Sequence, residues 1–368
     1  MSEFQISKTD FAKHRIVGAQ LRVLATATAI EEGEILVKID RFAITANNIT
    51  YAVLGDKMGY WQFFPVAEDA LNWGVLPVWG FADVVQSKTD GVAVGERLFG
   101  YFPPAATLKM CPVRATANRF FDGALHRAAL PPGYNSYSRV LAEVGYDRAF
   151  DNVRMLLWPL HMTSFCLGDL LHSRSYFDAK QVVILSASSK TSIGLAYALQ
   201  GDTAAPPTVA VTSAKNSAFV RQLGIYNKTL SYAQIDQIEA NLPTVVIDLS
   251  GNGEVLARLK AHLGSNMHRC INVGLTHWAH LDGVTPQSTT EQDRSEFFFA
   301  PAHIQMRMKD WGVEEFTART SRFLKMSATK SVALYTFTKL NGLTGLAQVY
   351  GDVCAGHIPP EQGLIIQM

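Results

Sequence analysis

The sequence predicts an α/β protein in which a β-rich first half precedes a doubly wound parallel sheet. Three observations carry this. Between residues 151 and 300, short β-branched runs alternate with helical patterns at near-regular intervals, as βαβ units require. One run, Val182, Val183, Ile184 and Leu185, passes through a loop of small polar residues into a helical pattern at Ile193, Leu195, Ala196 and Leu199. Residues 1–150 show instead period-two alternation with glycine-marked turns and no long helical window.

In chain order, residues 34–44 alternate as a strand, and 81–87 and 96–102 read likewise, with Gly91 and Gly95 as turn markers between them. The segment 103–137, proline-rich at its ends, is expected to run as an extended excursion over the surface. Tyr60, Trp61, Phe63 and Phe64 follow Gly59; such a cluster more often plugs a core or interface than lines a ligand site. Residues 156–171 carry a helical apolar pattern in which His161 and Cys166 read as core. Strands are expected at 182–185, 208–212, 228–230, 244–248 and 268–273, with a helix at 216–223 closed by Gly224. The tail holds a helix near 313–326, a strand at 332–338, a helix near 343–355 and a terminal strand at 363–368. These elements place domains at 1–155, 156–305 and 306–368, the last returning to the first.

Composition narrows the function. A chain of 368 residues with 48% hydrophobic content fills two cores. A net charge of +1 makes no case for nucleic acid or an anionic membrane surface. Cys111, Cys166, Cys270 and Cys354 are scattered in or beside apolar sequence and read as free thiols of a reducing compartment. The N-terminus has no apolar core of a signal peptide, and no run approaches the roughly 20 residues of a membrane span. The expectation is a soluble cytosolic protein.

The loop 186–192 is where chemistry is expected. Backbone N–H groups and the helix dipole at such a strand–helix turn favour a pyrophosphate. Of the three glycines in the G-x-G-x-x-G pattern, Gly194 remains, at the close-packing position. Ala187, Ser188, Ser189 and Ser192 are small, while Lys190 and Thr191 add a cation and a hydroxyl. Two readings stay open: a phosphate cradle that uses hydroxyls and a lysine, or a polar turn with a serine helix cap.

The order of elements resembles the medium-chain dehydrogenase/reductase superfamily in its quinone-oxidoreductase branch. Gly33-Glu-Ile-Leu-Val-Lys-Ile39 is similar to that superfamily's first GroES-like strand. Trp79-Gly-Phe-Ala-Asp-Val-Val85 followed by Gly95-Glu-Arg-Leu-Phe-Gly100 resembles its G-x-V-V…G-D-R-V-x-G signature. Pro159-Leu-His-Met-Thr-Ser164, Leu223-Gly224 and Val273-Gly274 fall at further landmarks. A closer resemblance, carried by Thr45-Ala-Asn-Asn-Ile-Thr-Tyr51, Gly59-Tyr-Trp-Gln-Phe-Phe64, Trp79-Gly-Phe81 and Ser186-Ala-Ser-Ser-Lys-Thr191, is to a family within it that has no assigned reaction.

The resemblance implies a GroES-like domain, a Rossmann domain and a nicotinamide cofactor. It implies that Asn48 orients the substrate and Tyr51 donates a proton, the competing reading being that Asn48 satisfies a tight turn and Tyr51 packs. It implies that Thr163 and Gly274 meet the cofactor, with Thr163 otherwise a helix-start hydroxyl, and that Tyr134 and Tyr137 close a cleft, with surface packing as the alternative. It also implies a homodimer joined near residues 296–304. Zinc-dependent members carry a Cys and a His in the early loops, but residues 46–110 here contain neither. His277 and His280 have i,i+3 spacing with Asp282 as their one nearby carboxylate. A zinc-independent protein is therefore expected. The second Rossmann strand runs into Ser213, Lys215 and Asn216 with no carboxylate for a ribose 2′-OH, which favours NADPH over NADH; plain helix capping by Ser213 and Asn216 is the competing reading. The expected activity is reduction of a carbonyl, quinone or activated alkene on a small apolar molecule. The rivals are a redox-neutral lyase or hydrolase on the same scaffold, and a nucleotide-sensing protein without turnover.

Overall fold

The structure, a computed structural model, describes residues 2–18, 29–273 and 294–368. The chain divides into two compact units, Met1–Leu156 with Ala333–Met368, and Leu157–Val332.

The second unit is built on six strands: Gln181–Leu185, Thr208–Thr212, Lys228–Ser231, Thr244–Asp248, Met267–Asn272 and Ser295–Phe297. All neighbours are parallel. They lie in the order third, second, first, fourth, fifth, sixth, the Rossmann order, whose direction reverses between the first and fourth strands. Strands covered by helices on both faces must be apolar throughout. Val182 and Ile184 accordingly pack with Leu167, Leu195 and Phe316 on one face. Val183 and Leu185 pack with Val255, Leu259 and Leu263 on the other. The five expected strands form with ends shifted by no more than a residue, and Ser217–Leu223 stops at Gly224, whose φ is 62°. The sixth strand, three residues long, was too short to be read from its pattern.

In the first unit a nine-stranded sheet is centred on Ile35–Ile44. That strand pairs with Val78–Ser87, Thr107–Met110 and Gln362–Gln367. Glu3–Ser7 joins His14–Val17 and Trp73–Val75 in a smaller sheet. The fold class is as expected: a GroES-like β-rich unit and a Rossmann sheet.

Two expectations about this architecture need correction. The segment 306–368 does not return as a block. The helix Val313–Ser331 stays with the parallel sheet, because Phe316 and Leu324 pack into its core and Ser327 and Ser331 are fully buried. The return begins after it, with a turn at Val332–Leu334 where a strand was expected, then the strand Thr336–Asn341 alongside Gln362–Gln367. Nor is 103–137 a surface excursion. Thr107–Met110, Pro112–Val113, Arg119–Asp122 and Ser136–Arg139 all join the large sheet. Arg127 organises this segment from inside: it is 1% exposed and donates to Asp122, Asn135 and the Tyr137 hydroxyl. A guanidinium so completely paired is stable in a core, and prolines alone do not reveal it. No helix among the described residues is long and apolar enough to cross a membrane.

Candidate functional site

The parallel unit carries the expected nucleotide loop at the carboxyl end of its first strand. After Leu185 the chain turns through Ser186, a non-glycine residue at φ 57°. Ser189 N–H donates back to Ser186 O at 2.9 Å. Ser189 then caps the helix Lys190–Gln200: its Oγ accepts from Ser192 N at 3.1 Å, as a side chain at this position does to satisfy an orphaned amide. Ser192 Oγ donates to Ser186 O at 2.9 Å and closes the turn.

The loop and the end of the second strand are hydrogen-bonded to each other. Ser188, buried, accepts from Asn216 Nδ2 at 3.0 Å and from Thr212 Oγ1 at 3.3 Å. Ser213 Oγ accepts from Asn216 N at 3.3 Å and caps the short turn Ala214–Asn216. Asn216 is thus engaged as a donor to Ser188, Ser213 Oγ is engaged as an acceptor and keeps its own O–H, and Lys215 is the exposed charge at this strand end. The structure brings Ser188, Ser213 and Asn216 into one network, while Ser189 belongs to the separate turn with Ser186 and Ser192 that opens the adjoining helix, whose first turn holds Lys190 and Thr191.

Gly194 has the packing role expected of it. A Cβ there would lie 2.5 Å from Ser164 Oγ and 2.7 Å from His161 Cδ2, so the helix Lys190–Gln200 approaches Asp151–Ser173 at a distance no side chain allows. Ser164 Oγ donates to Thr191 O at 2.7 Å and ties the two helices together. Its neighbour Thr163 bonds back to Pro159 O at 3.2 Å within its own helix. His161 is core: it is 1% exposed, its Nδ1 meets Ser327 Oγ at 2.9 Å, and burial pushes its pKa down to about 3. Cys166 is fully buried in the same helix. Gly274, His277, His280 and Asp282 lie outside the described residues.

In the β-rich unit, Asn48 and Tyr51 sit on the helix Ala46–Val53. The Asn48 side chain is engaged at both ends: Oδ1 accepts from Thr45 N at 2.9 Å and Nδ2 donates to Pro77 O at 2.9 Å. Tyr51 is 5% exposed and its hydroxyl accepts from Trp79 Nε1 at 3.2 Å. Burial pushes the phenol up to about 12. Around it stand Tyr60, Tyr101 and Tyr134, with ring centroids 4.8, 5.5 and 6.2 Å away. Tyr60 and Tyr134 share a hydrogen bond of 3.0 Å, while the buried Tyr101 hydroxyl has no partner among the described residues. Tyr60, Trp61, Phe63 and Phe64 are all buried, so the aromatic run is a core plug. Tyr137 is fully buried and donates to Tyr101 O at 2.6 Å; it closes no cleft. Among the described residues no group of three or more His, Cys, Asp and Glu side chains is arranged to hold a metal ion.

Sequence reasoning missed Ser164, Tyr226 and Tyr232. Tyr226 Oη donates to Ala187 O at 2.8 Å, and Tyr232 Oη accepts from Ser186 N at 3.1 Å. Ser164 was within reach, next to Thr163 on the helix already singled out. The two tyrosines lie far along the chain with no motif around them.

A family model described as "Protein of unknown function (DUF2855)" matches residues 42–359. No curated protein matches the chain. Among solved structures, CurA from Vibrio vulnificus in complex with NADPH is similar, with a TM-score of 0.61 at 10% identity over 100% of this chain and 99% of that one. The apo JamJ enoyl reductase gives 0.59 at 13% identity over 100% and 99%. The yhdH oxidoreductase from Salmonella enterica in complex with NADP gives 0.53 at 11% identity, covering both chains in full. At these identities the likeness is one of fold, and it follows both units from end to end.

Proposed function

Since this chain belongs to the family described as "Protein of unknown function (DUF2855)", its reaction must be argued from its site, and we propose that it is an NADPH-dependent, zinc-independent reductase of a carbonyl, quinone or activated alkene on a small apolar molecule. The observation that carries this is the Rossmann strand order with a small-residue loop at the carboxyl end of the first strand, hydrogen-bonded to a carboxylate-free second-strand end. Two structures of the same fold, CurA and the yhdH oxidoreductase, are described as complexes with NADPH and NADP.

The residues fit such a cofactor. Helix N-terminal amides around Lys190 and Thr191 would hold the pyrophosphate, and the Lys190 ammonium would add a charge-assisted contact. Gly194 keeps the helix close to its neighbour. Lys215 would attract a 2′-phosphate, and Ser213 and Asn216 shape the loop that carries it. Thr163 and Gly274 remain assigned to the nicotinamide end. When bound, the reduced nicotinamide supplies a hydride.

The chain supplies the proton and the positioning. Tyr51 accepts from Trp79, so the phenol keeps its own O–H to donate to a carbonyl oxygen or enolate. It is protonated at neutral pH as any phenol is, and burial extends that range upward, to about 12. Asn48, held by Thr45 and Pro77, acts by fixing the helix that carries Tyr51. Zinc independence rests on the absence of Cys and His from residues 46–110. Ser295–Phe297, outermost of the described parallel strands, is the edge through which a homodimer would form.

Purified protein should bind NADPH and oxidise it when offered quinones, enones or aldehydes, read as loss of nicotinamide absorbance. Binding without turnover across that panel would leave a nucleotide sensor. Absence of binding would remove the reading altogether.

A further inference from the structure

Ser186 occupies the left-handed backbone region, at φ 57°, which glycine enters freely and an L-residue resists. It stands where the first strand turns into the nucleotide loop, a place where the common dinucleotide pattern uses glycine. The conformation therefore needs support from elsewhere. Ser192 supports the carbonyl side from within the loop. The amide side is held by a residue of another element: Tyr232 Oη accepts from Ser186 N at 3.1 Å. The next residue is held in the same manner, with Tyr226 Oη donating to Ala187 O at 2.8 Å. Tyr232 opens the turn Tyr232–Gln237, which follows the third parallel strand, and its ring packs on the core beneath the sheet. The hydroxyl is consequently fixed from below.

We propose that Tyr232 is a positioning residue for nucleotide binding: its hydroxyl holds Ser186 in the conformation a glycine would otherwise supply, and so presets the loop for the phosphates. This rests on the nucleotide reading above. It concerns the phosphates, which NADPH and NADH share around the pyrophosphate, and so it is separable from any role of Lys215 in choosing between them.

The test is calorimetric titration of NADPH and NADH into wild type, Tyr232→Phe, Ser186→Gly and the double variant. Tyr232→Phe removes a single oxygen and should weaken both cofactors by about tenfold, the scale of one lost hydrogen bond at a preset loop, with their ratio unchanged. In the double variant Ser186→Gly should restore most of the affinity lost in Tyr232→Phe, because glycine no longer needs the hydroxyl. A merely structural tyrosine would lower stability without this rescue. Unchanged affinity in Tyr232→Phe, or a loss that Ser186→Gly fails to relieve, would overturn the proposal while leaving the nucleotide site intact. Failure of wild type to bind either cofactor would remove both. In wild type without cofactor, the Ser186 amide should exchange slowly with solvent deuterium; fast exchange would also overturn it, even were Tyr232→Phe not to fold.

Discussion

In the parallel-sheet unit, the nucleotide loop is held by partners outside itself: Ser186 N–H donates to Tyr232, Tyr226 donates to Ala187 O, Asn216 and Thr212 donate to the Ser188 hydroxyl, and Ser164 donates to the carbonyl of Thr191. In the β-rich unit the functional side chains are themselves the engaged groups. Asn48 and Tyr51, the residues expected to act, meet Pro77 and Trp79 through their own side chains. The first loop is a scaffolded backbone; the second is a pair of side chains built into a core. The lesson is that a residue type at a functional position does not say whether its polar atoms face a ligand or the protein. The partners those atoms already hold do.

Substitutions that act on one region and spare the other put this contrast at risk. The largest effect is expected at Gly194→Val, which drives a branched side chain into Ser164 and His161, both buried. It should cost about 3 kcal/mol, the upper end of overpacking, in denaturant unfolding. Little change would show that the two helices separate easily and that the loop is less rigid than described. Next come two substitutions that should separate in their readouts. Asn48→Ala leaves Pro77 O and Thr45 N without partners and should lower stability by about 1–3 kcal/mol, with nucleotide affinity untouched. Lys190→Ala should do the opposite, weakening NADPH binding by about 1–3 kcal/mol with the melting temperature preserved. If Asn48→Ala instead abolished turnover in a fully stable protein, the asparagine would belong to the substrate after all.

How much of this was legible follows from range. The parallel strands were readable because each is a short apolar run whose pattern is local. Gly194 was readable because its spacing from the strand is fixed. Tyr232 was not, since it reaches Ser186 across 46 residues and no period or motif links them. Arg127 was not, because its four partners, Asp122, Asn135, Tyr137 and the Tyr134 carbonyl, come together only in the fold. The helix Val313–Ser331 was cut short in the reading at 326: Ser327 and Ser331 look solvent-facing by type yet are fully buried. The site residues were found by type and place; which of their atoms are already engaged is tertiary information.

A smaller effect concerns alkaline pH. Burial pushes Tyr51 up to about 12 and raises Tyr101 and Tyr134 as well. A free phenol ionises near about 10. Between those values the unfolded chain loses protons that the native phenols keep, so the stability they confer is complete below about pH 10 and declines as pH rises towards 12. Tyr51→Phe removes one such proton and should flatten the decline by about 1.4 kcal/mol per pH unit in that window. A slope equal to wild type would mean that Tyr51 is solvated, and the contrast between a core-built pair and a scaffolded loop would weaken.

The smallest expected effect is also the most selective. Lys215 is exposed at the end of the second parallel strand, and the residues beside it offer no carboxylate to accept from a ribose 2′-OH or repel a 2′-phosphate. Asn216 is hydrogen-bonded to Ser213 and to Ser188, and Lys215 carries the charge that would tell the cofactors apart. A 2′-phosphate carries nearly two negative charges and gains from an ammonium; a bare hydroxyl gains little. Because the lysine is exposed, solvent screens the attraction and keeps it modest. Wild type should prefer NADPH by at least about tenfold, equivalent to roughly 1.4 kcal/mol. Lys215→Ala should remove most of that preference by weakening NADPH alone, and added salt should mimic the substitution. Asn216→Ala should instead loosen the loop and weaken both cofactors together. A Lys215→Ala protein that kept its preference would move the selection to another group, and equal wild-type affinities would show that a strand end without a carboxylate is not sufficient to choose NADPH.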